Sequence, residues 1–383
     1  MPDSGCRVNA RLLSAYEFSQ LGPDWDDLVE RSGADRLFMG WSWLYSWWET
    51  WSQVMGLDLL LIGVFDDGGR LIGIGPFYRR AQQMPLGLRV NRVQMLGNAW
   101  HVGPSVRSEY TNLITDANCS EEVSSAIVAF VSQLTWDEVV LCDCSPANVD
   151  LITRAMRTHL GQLTQVDRAF DSGIAINVSN SFEEWLAALG KNTRLKVYNR
   201  RQRISRRSQI DFIHAGSSYE FAEFLEELSR FHIGRWGSPA FDREGIRFHQ
   251  AFVQRFTESG GKLEASKMLV DGKCVSVLYD VVIGARRYNI QSGYDESFDR
   301  QVALGTLHLG YAIEQAFADP DIHYYDLLAG GGKNTFYKDR LHGTAYSFKT
   351  VQLVRKPVLR LIYTQQAKLP AAWRQRINKT IRL

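Results

Sequence analysis

LDLLLIGVFDDGGRLIGIGPF, Leu57 to Phe77, decides how the rest of the chain is read. Two apolar runs, Leu57 to Phe65 and Leu71 to Phe77, flank Asp66-Asp67-Gly68-Gly69. An acidic and glycine turn between such runs is a hairpin signal, because the turn needs residues that tolerate positive φ. A third strand is predicted at Val90 to Leu96, then a helix from Glu121 to Gln133, a strand at Glu138 to Asp143 and a helix from Asn148 to Leu160. The order returns later. Leu263 to Val270 and Cys274 to Ile283 flank Asp271-Gly272, followed by a strand at Arg287 to Tyr294, a helix from Gly305 to Phe317 and a strand at Tyr324 to Leu328. Residues 57–160 and 263–350 thus repeat one pattern without evident sequence identity. A chain of 383 residues also exceeds what one core usually serves. The expectation is an α/β (α+β) protein of two similar halves, 1–170 and 171–355, each with a mixed, mostly antiparallel sheet flanked by helices.

The remaining segments dress these halves. A strand at Arg11 to Leu13 and a helix from Pro23 to Arg31 open the chain. In GWSWLYSWWETW, Trp41, Leu44, Trp48 and Trp51 share one helical face with Trp43 and Trp47 beside it, which predicts a buried helix rather than a ligand platform. Ile174 to Val178 reads as a strand, and Ser181-Phe182-Glu183-Glu184 as a capping box for the helix of Trp185, Leu186 and Leu189. Asn192 or Thr193 then caps a second helix, RLKVYNRRQRISRR. Tyr219 to Arg230 and Arg247 to Ser259 read as amphipathic helices around a loop, RWGSPAF. Tyr346 to Val354 is the last strand.

Charge is unevenly spread. Residues 340–383 hold ten of the 44 basic residues and no acid, so the rest of the chain is acidic, with 34 basic against 42 acidic residues. From Lys356 to Leu383 apolar residues, Trp373 among them, alternate with Lys and Arg. This tail reads either as a helix packed on the domain or as a segment for an anionic bilayer. Lys191 to Arg207 carries eight basic residues and no acid, a field suited to phosphate, nucleic acid or membrane, or else a solvated helix. The five cysteines are scattered, which fits reduced thiols. Cys142 and Cys144 are expected on one face of their strand, as buried thiols rather than metal ligands, and no metal is expected. No apolar run is long enough to span a membrane, and a cytoplasmic protein is expected.

YDLLAGGGKNTFYKDRLHG, Tyr325 to Gly343, is where chemistry is expected. A strand that runs into side-chain-free backbone lets a ligand approach closely, and Tyr and Lys beside it can polarise a carbonyl or steady a developing charge. The bland alternative is a glycine-rich hairpin loop with a solvated lysine.

With these residues in view, the chain resembles the GNAT acyltransferases of the CelD/BcsL-like family, associated with exopolysaccharide and cellulose biosynthesis and related to the FemABX aminoacyltransferases. The resemblance runs through Phe38 to Trp51, the hairpin ending Pro76-Phe77-Tyr78-Arg79-Arg80, Leu96-Gly97 and Tyr110 to Leu113. It continues through SFEEWLAALGKNTRLKVYNRRQR, Gly293-Tyr294-Asp295, Leu304-Gly305-Thr306-Leu307 and Asp326 to Tyr337-Lys338. It implies two tandem GNAT-like domains, the second catalytic, with residues 356–383 as a basic tail. It implies acyl transfer from acetyl-CoA or another acyl-CoA to an amine or hydroxyl, on a sugar or lipid-linked glycan. An aminoacyl-tRNA donor is the enzymatic alternative, and a non-catalytic scaffold for anionic polymer or membrane the alternative of another class.

The resemblance also implies roles. Lys338 with Tyr337 would stabilise the oxyanion or a substrate phosphate, and Asp326 would orient or deprotonate the acceptor, unless it only caps the glycine loop. Arg300, Gln301, Gly305, Thr306 and Leu307 would hold the donor pyrophosphate. Arg194, Arg200, Tyr110, Gln291 and Tyr294 would meet the acceptor. The chain departs from its relatives in a longer loop before Lys338, in Gly331-Gly332 where an acidic pair is common, and in the glycine spacing after Arg300-Gln301.

Overall fold

The computed structural model describes residues 8–84, 87–216, 218–299, 301–330 and 338–367. They form two units, Met1–Phe170 with Ser347–Leu383, and Asp171–Tyr346. The first begins with β1 (Asn9–Leu13), α1 (Ala15–Gln20), α2 (Gly22–Arg31) and α3 (Trp41–Met55). It continues with β2 (Asp58–Phe65), β3 (Leu71–Gln83), β4 (Arg89–Met95), β5 (Ile114–Thr115), α4 (Ser120–Gln133), β6 (Glu138–Cys144) and α5 (Pro146–Leu160). Strand β7 (Thr164–Asn177) carries the chain into the second unit. There follow α6 (Phe182–Ala188), α7 (Lys191–Arg194), a π-helical turn at Leu195–Asn199, α8 (Arg201–Ser205), β8 (Ile210–His214), α9 (Ser218–Trp236) and α10 (Arg243–Glu258). Then come β9 (Lys262–Val270), β10 (Lys273–Ile283), β11 (Arg286–Tyr294), α11 (Leu304–Ala318) and β12 (Tyr324–Asp326). Strand β13 (Thr344–Val354) returns the chain to the first unit, which α12 (Pro357–Ala367) completes.

The architecture is mixed α/β with mostly antiparallel sheets, as the hairpin pattern predicts. In the first unit the strands lie in the order β1-β2-β3-β4-β6-β13, antiparallel except where β4 and β6 run parallel. In the second the order is β7-β12-β11-β10-β9-β8, antiparallel except where β11 and β12 run parallel. Each parallel pair is joined through a helix, α4 or α11, as such a crossover requires. Hairpin, third strand, helix and parallel strand therefore occur once in each unit.

Helix α3 is core, but its buried face is not centred where the Trp spacing suggests. Trp43, Leu44, Trp47 and Trp51 are buried, whereas Trp41 and Trp48 are half-buried. The indole N–H groups of Trp25, Trp41 and Trp43 reach Met39 O, Phe18 O and Ser108 Oγ at 2.7–2.8 Å, so the aromatic layer also fixes loops.

Cys142 and Cys144 do not share a face. Val139, Leu141 and Cys144 belong to one core cluster, and Cys142 lies instead toward Gln94. Asp143 between them has φ +48°, and the register with β13 slips beside it, so the alternation is broken by a bulge. Among the described residues Cys142, Cys144 and Cys274 are free thiols, and no group of His, Cys, Asp and Glu is placed to hold a metal.

The tail packs on the first unit as far as it is described. Leu359 and Tyr363 are buried with Val90 and Val354. Lys356 donates to Arg89 O at 3.0 Å and lies 3.2 Å from Asp137, and Arg360 Nε donates to Thr164 Oγ1 at 3.0 Å. Val358 and Leu361 remain exposed. Residues 368–383, Trp373 included, lie outside the described residues. No described helix is long and apolar enough to cross a membrane.

The basic helix predicted from Arg194 to Arg207 is broken. Its middle is a π-turn in which Val197 is buried against α11. The contact is so close that a Cβ added at Gly310 would lie 2.0 Å from Val197 O. Glycine is needed at 310 for that approach, not for φ. Gly310→Ala should therefore destabilise the protein by about 1–3 kcal/mol, the usual cost of overpacking a filled site. Urea unfolding will read this as a lower midpoint at unchanged slope, and an unchanged midpoint would refute the contact.

Candidate active site

The second unit's parallel strands pair over only three positions, Arg286↔Tyr324, Arg287↔Tyr325 and Tyr288↔Asp326. A buried carboxylate fixes this short seam. Asp280 on β10 accepts Arg287 Nε at 2.7 Å, Tyr325 OH at 2.5 Å and Asn289 Nδ2 at 2.7 Å, so one side chain ties β10, β11 and β12 together. Burial acts to lower the Arg287 guanidinium, but the Asp280 charge and hydrogen bond, with Tyr325 and Glu264, together raise it above its ordinary value.

Beyond Asp326 the strands part. Leu327 N–H donates to Ile174 O at 2.9 Å, so the chain follows β7, while β11 continues to Tyr294 without that neighbour. Leu328 takes φ +57°, an uncommon conformation for a branched residue. Among the described residues this leaves a wedge between Asn289–Tyr294 and Leu327–Gly330, at the carboxyl ends of two parallel strands. Helix α11 begins at that same end, because its chain enters from β11 and leaves for β12. Ligands in such folds bind there.

Two predicted residues meet at the wedge. Lys338 donates from Nζ to Leu327 O at 2.7 Å and Leu328 O at 2.9 Å, and a Cβ at Gly330 would lie 3.4 Å from the same nitrogen. Its ammonium therefore sits where β12 ends. Asp326 is buried and accepts Leu328 N–H at 2.9 Å, Arg286 Nη1 at 3.2 Å and Tyr346 OH at 2.5 Å. These three hydrogen bonds make Asp326 a residue that shapes the loop. Tyr337 lies outside the described residues.

The donor-binding residues are partly assembled. No side chain among the described residues caps α11, so Gly305 and Thr306 present first-turn N–H groups at a positive helix terminus. Tyr294 closes over Gly305, where a Cβ would meet its ring at 2.6 Å. Leu307 does not join them: its N–H donates to Ala303 O at 2.9 Å and its side chain is core. Gln301 is exposed, with its N–H on Asp299 Oδ1 at 2.8 Å. Arg300 lies outside the described residues.

The acceptor residues are scattered. Gln291 pairs with Tyr279, whose ring packs on Phe221 and His249 of α9 and α10, whereas Tyr294 faces α11. Three residues apart on a regularly paired stretch of β11, Gln291 and Tyr294 fall on opposite faces by the alternation of the strand. Tyr110 belongs to the first unit, at φ +55°, packed edge-on to Phe348 at 4.8 Å. Arg194 and Arg200 are half-buried in the basic segment. That segment reaches the approach to α11: Arg203 Nε donates to Asp299 at 3.1 Å, and Arg201 Nη1 to Glu314 at 2.6 Å. The Gln301 backbone N–H, the Arg203 hydrogen bond and then the Arg203 and Arg200 charges hold the Asp299 carboxyl below its usual range.

Sequence reading passed over His308, which fixes α11 to the sheet. Ser276 Oγ donates to Gly293 O at 3.2 Å, so His308 Nδ1–H donates to Ser276 Oγ at 3.0 Å. Nε2 is left to accept Ser266 O–H at 2.9 Å. A lone His inside an apolar helix, one turn after a Gly-Thr pair, was the available signal.

The first unit has the same topology without the same opening. Ser108 N–H donates to Gly97 O at 3.1 Å and Thr111 N–H to Asp143 O at 3.2 Å, so the chain's own loop fills the space past β4 and β6. The first turn of α4 carries Glu121 and Glu122, whereas that of α11 has no acid. An anionic donor is repelled at the first terminus and favoured at the second.

Comparison with known proteins agrees with this division. Residues 191–339 match the acetyltransferase (GNAT) domain family. The chain is similar in fold to a crystal structure of FemX, with 12% identity, a TM-score of 0.56, and 93% of this chain and 100% of that one covered. It is similar also to L-PGS from Bacillus licheniformis, with 11% identity, a TM-score of 0.50, and 89% and 95% covered. The C-terminal domain of a putative lysylphosphatidylglycerol synthetase from Agrobacterium fabrum gives 10% identity and a TM-score of 0.50 over 92% of this chain and 97% of that one. No curated protein matches the sequence. An acyltransferase with a GNAT domain in its second unit is the class these findings define.

Burial holds the His308 imidazole down to about 3, from an ordinary 6.5, with the Arg287 and His214 charges acting the same way. Burial likewise lowers His249 to about 3. Each is neutral in the folded protein while the unfolded chain takes up a proton below about 6.5. Stability is thus full above that pH and lost as pH falls toward 3, by up to about 1.4 kcal/mol per pH unit for each histidine. Urea midpoints between pH 7 and 4.5 will show the decline, and His308→Gln will make it shallower. An equal slope in the variant would show that His308 is protonated in the fold.

Proposed function

We propose that the second unit transfers an acyl group from acyl-CoA to an amine or hydroxyl, on a sugar or lipid-linked precursor of polysaccharide or envelope. The observation that carries this is the wedge at the ends of β11 and β12, with the uncapped start of α11 and the Lys338 ammonium at the same end. The Gly305 and Thr306 N–H groups would hold the donor pyrophosphate. The acceptor attacks the thioester carbonyl, its negative oxygen is met by Lys338, and the sulfur leaves as thiol with the acceptor's proton. Alignment of the two substrates supplies the rest of the acceleration. The CelD/BcsL-like resemblance supports the glycan acceptor, and a tail whose described basic residues Lys356 and Arg360 are already paired supports a small donor over a nucleic acid.

The second reading is an aminoacyl-tRNA donor. The six basic residues of Lys191–Arg207 other than Arg201 and Arg203 support it, as does the shared fold of FemX and of L-PGS. Peripheral contact with an anionic membrane rests on exposed Val358 and Leu361 beside the basic tail.

Acetyl-CoA should raise the melting temperature by a few degrees at millimolar concentration. Lys338→Ala should cut kcat by about 10²–10³-fold, as loss of one oxyanion donor does, while the variant still melts in one cooperative transition, lowered by the loss of two carbonyl contacts. Absence of CoA binding at millimolar ligand, together with activity abolished by ribonuclease, would transfer the assignment to the aminoacyl-tRNA reading.

A further inference from the structure

The first unit's sheet has a polar face away from α4, where buried Arg92 and half-buried Arg168 lie about one buried carboxylate. Arg92 on β4, 1% exposed, donates from Nε to Glu138 Oε1 at 2.5 Å, and the other oxygen of Glu138 accepts Tyr363 OH at 2.8 Å. Arg168 on β7 stands over the Tyr363 ring at 4.7 Å and donates from Nε to Gln352 Oε1 on β13. Two guanidinium groups thus share one carboxylate.

Three donors in this cluster are left over. Arg92 Nη1, Arg168 Nη2 and Gln352 Nε2 are buried and have no acceptor among the described residues. The Trp100 ring lies 5.5 Å from the Arg92 guanidinium, a contact with its face that accepts no in-plane N–H. The backbone strap above turns its carbonyls to other side chains. Tyr78 OH holds Asn98 O at 2.9 Å, Gln94 holds Trp100 O at 3.0 Å, Gln82 holds His101 O at 3.1 Å and Arg80 holds Val102 O at 3.1 Å. Tyr78, Arg80 and Gln82 are alternate residues of one strand, so the strap is laced down in register. Buried donors without partners are rare, and an unbalanced buried charge costs several kcal/mol.

We propose that Arg92, Arg168 and Gln352 bind a small singly charged anion of the carboxylate class beneath the strap Asn98–Val102. One negative charge balances the two guanidinium groups against Glu138. The two oxygens of a carboxylate offer enough lone pairs for three N–H donors. Neighbouring groups respond to the same field: burial and then the Arg92 and Arg168 charges lower His101 to about 4, and burial lowers Arg168 itself. His101 is therefore neutral at pH 7 and adds no further charge.

The test is thermal unfolding of the full chain titrated with sodium formate, ionic strength being held constant with a bulky sulfonate salt. Formate should raise the melting temperature by roughly 2–5 °C at saturation, and inorganic phosphate, mostly a dianion at pH 7.5, should not. Gln352→Glu places a carboxylate against Arg168, so it should raise the melting temperature in formate-free buffer and abolish the formate response. Arg168→Met should abolish the response too. A melting temperature indifferent to formate, a response retained in Gln352→Glu, or stabilisation by phosphate alone would overturn the proposal.

Discussion

The wedge exists because one buried carboxylate stops two strands from parting any sooner. Asp280 holds Arg287, Asn289 and Tyr325 from two further strands, and all three parallel pairs of β11 and β12 lie within a residue of that grip. A buried charge is tolerated when every lone pair finds a donor, and here the donors are a cation, a phenol and an amide. Removing any one leaves charge or polar surface stranded in the sheet. The opening above thus has a stiff floor, and the short seam is what lets β12 turn away toward β7.

A second buried carboxylate governs how β12 ends. Asp326 folds its own loop back through Leu328 N–H, and Tyr346 and Arg286 close the remaining directions. Lys338 then bonds the two carbonyls on the far side of the same turn. The turn is held from both ends by opposite charges, a carboxylate on its N–H and an ammonium on its C=O groups. A lysine fixed in this way has already lost most of its rotamer freedom, so a further charge that meets it orders little more.

What the sequence reveals follows from how local each signal is. Hairpin turns at Asp66-Asp67-Gly68-Gly69 and Asp271-Gly272 are local chemistry, and the strand and helix order followed from them. The break in the basic helix was not legible, since its cause is a glycine at 310 more than a hundred residues away. The face of Cys142 was misjudged for a related reason: a bulge at Asp143 breaks the period of two, and nothing in the neighbouring residues marks it. Lys338 and Asp326 stood out because they flank glycines. Arg286, Tyr346 and His308 did not, because their partners come from other elements.

The two units also show how one topology can diverge in function through its buried charges. Each sets an arginine into the beginning of its parallel pair: Arg92 faces Glu138 across β4 and β6, and Arg287 lies opposite Tyr325 across β11 and β12. In the second unit the arginine is matched by one carboxylate whose other donors are neutral, so the seam is electrically closed and the strands beyond it are free to open. In the first unit a second arginine joins the cluster without a second carboxylate, and a laced strap covers it. The opening beyond the first seam is meanwhile filled by Ser108 and Thr111. The second unit thus combines a neutral, rigid floor with strands that part above it, and the first combines a filled strand end with charge at the base of the sheet.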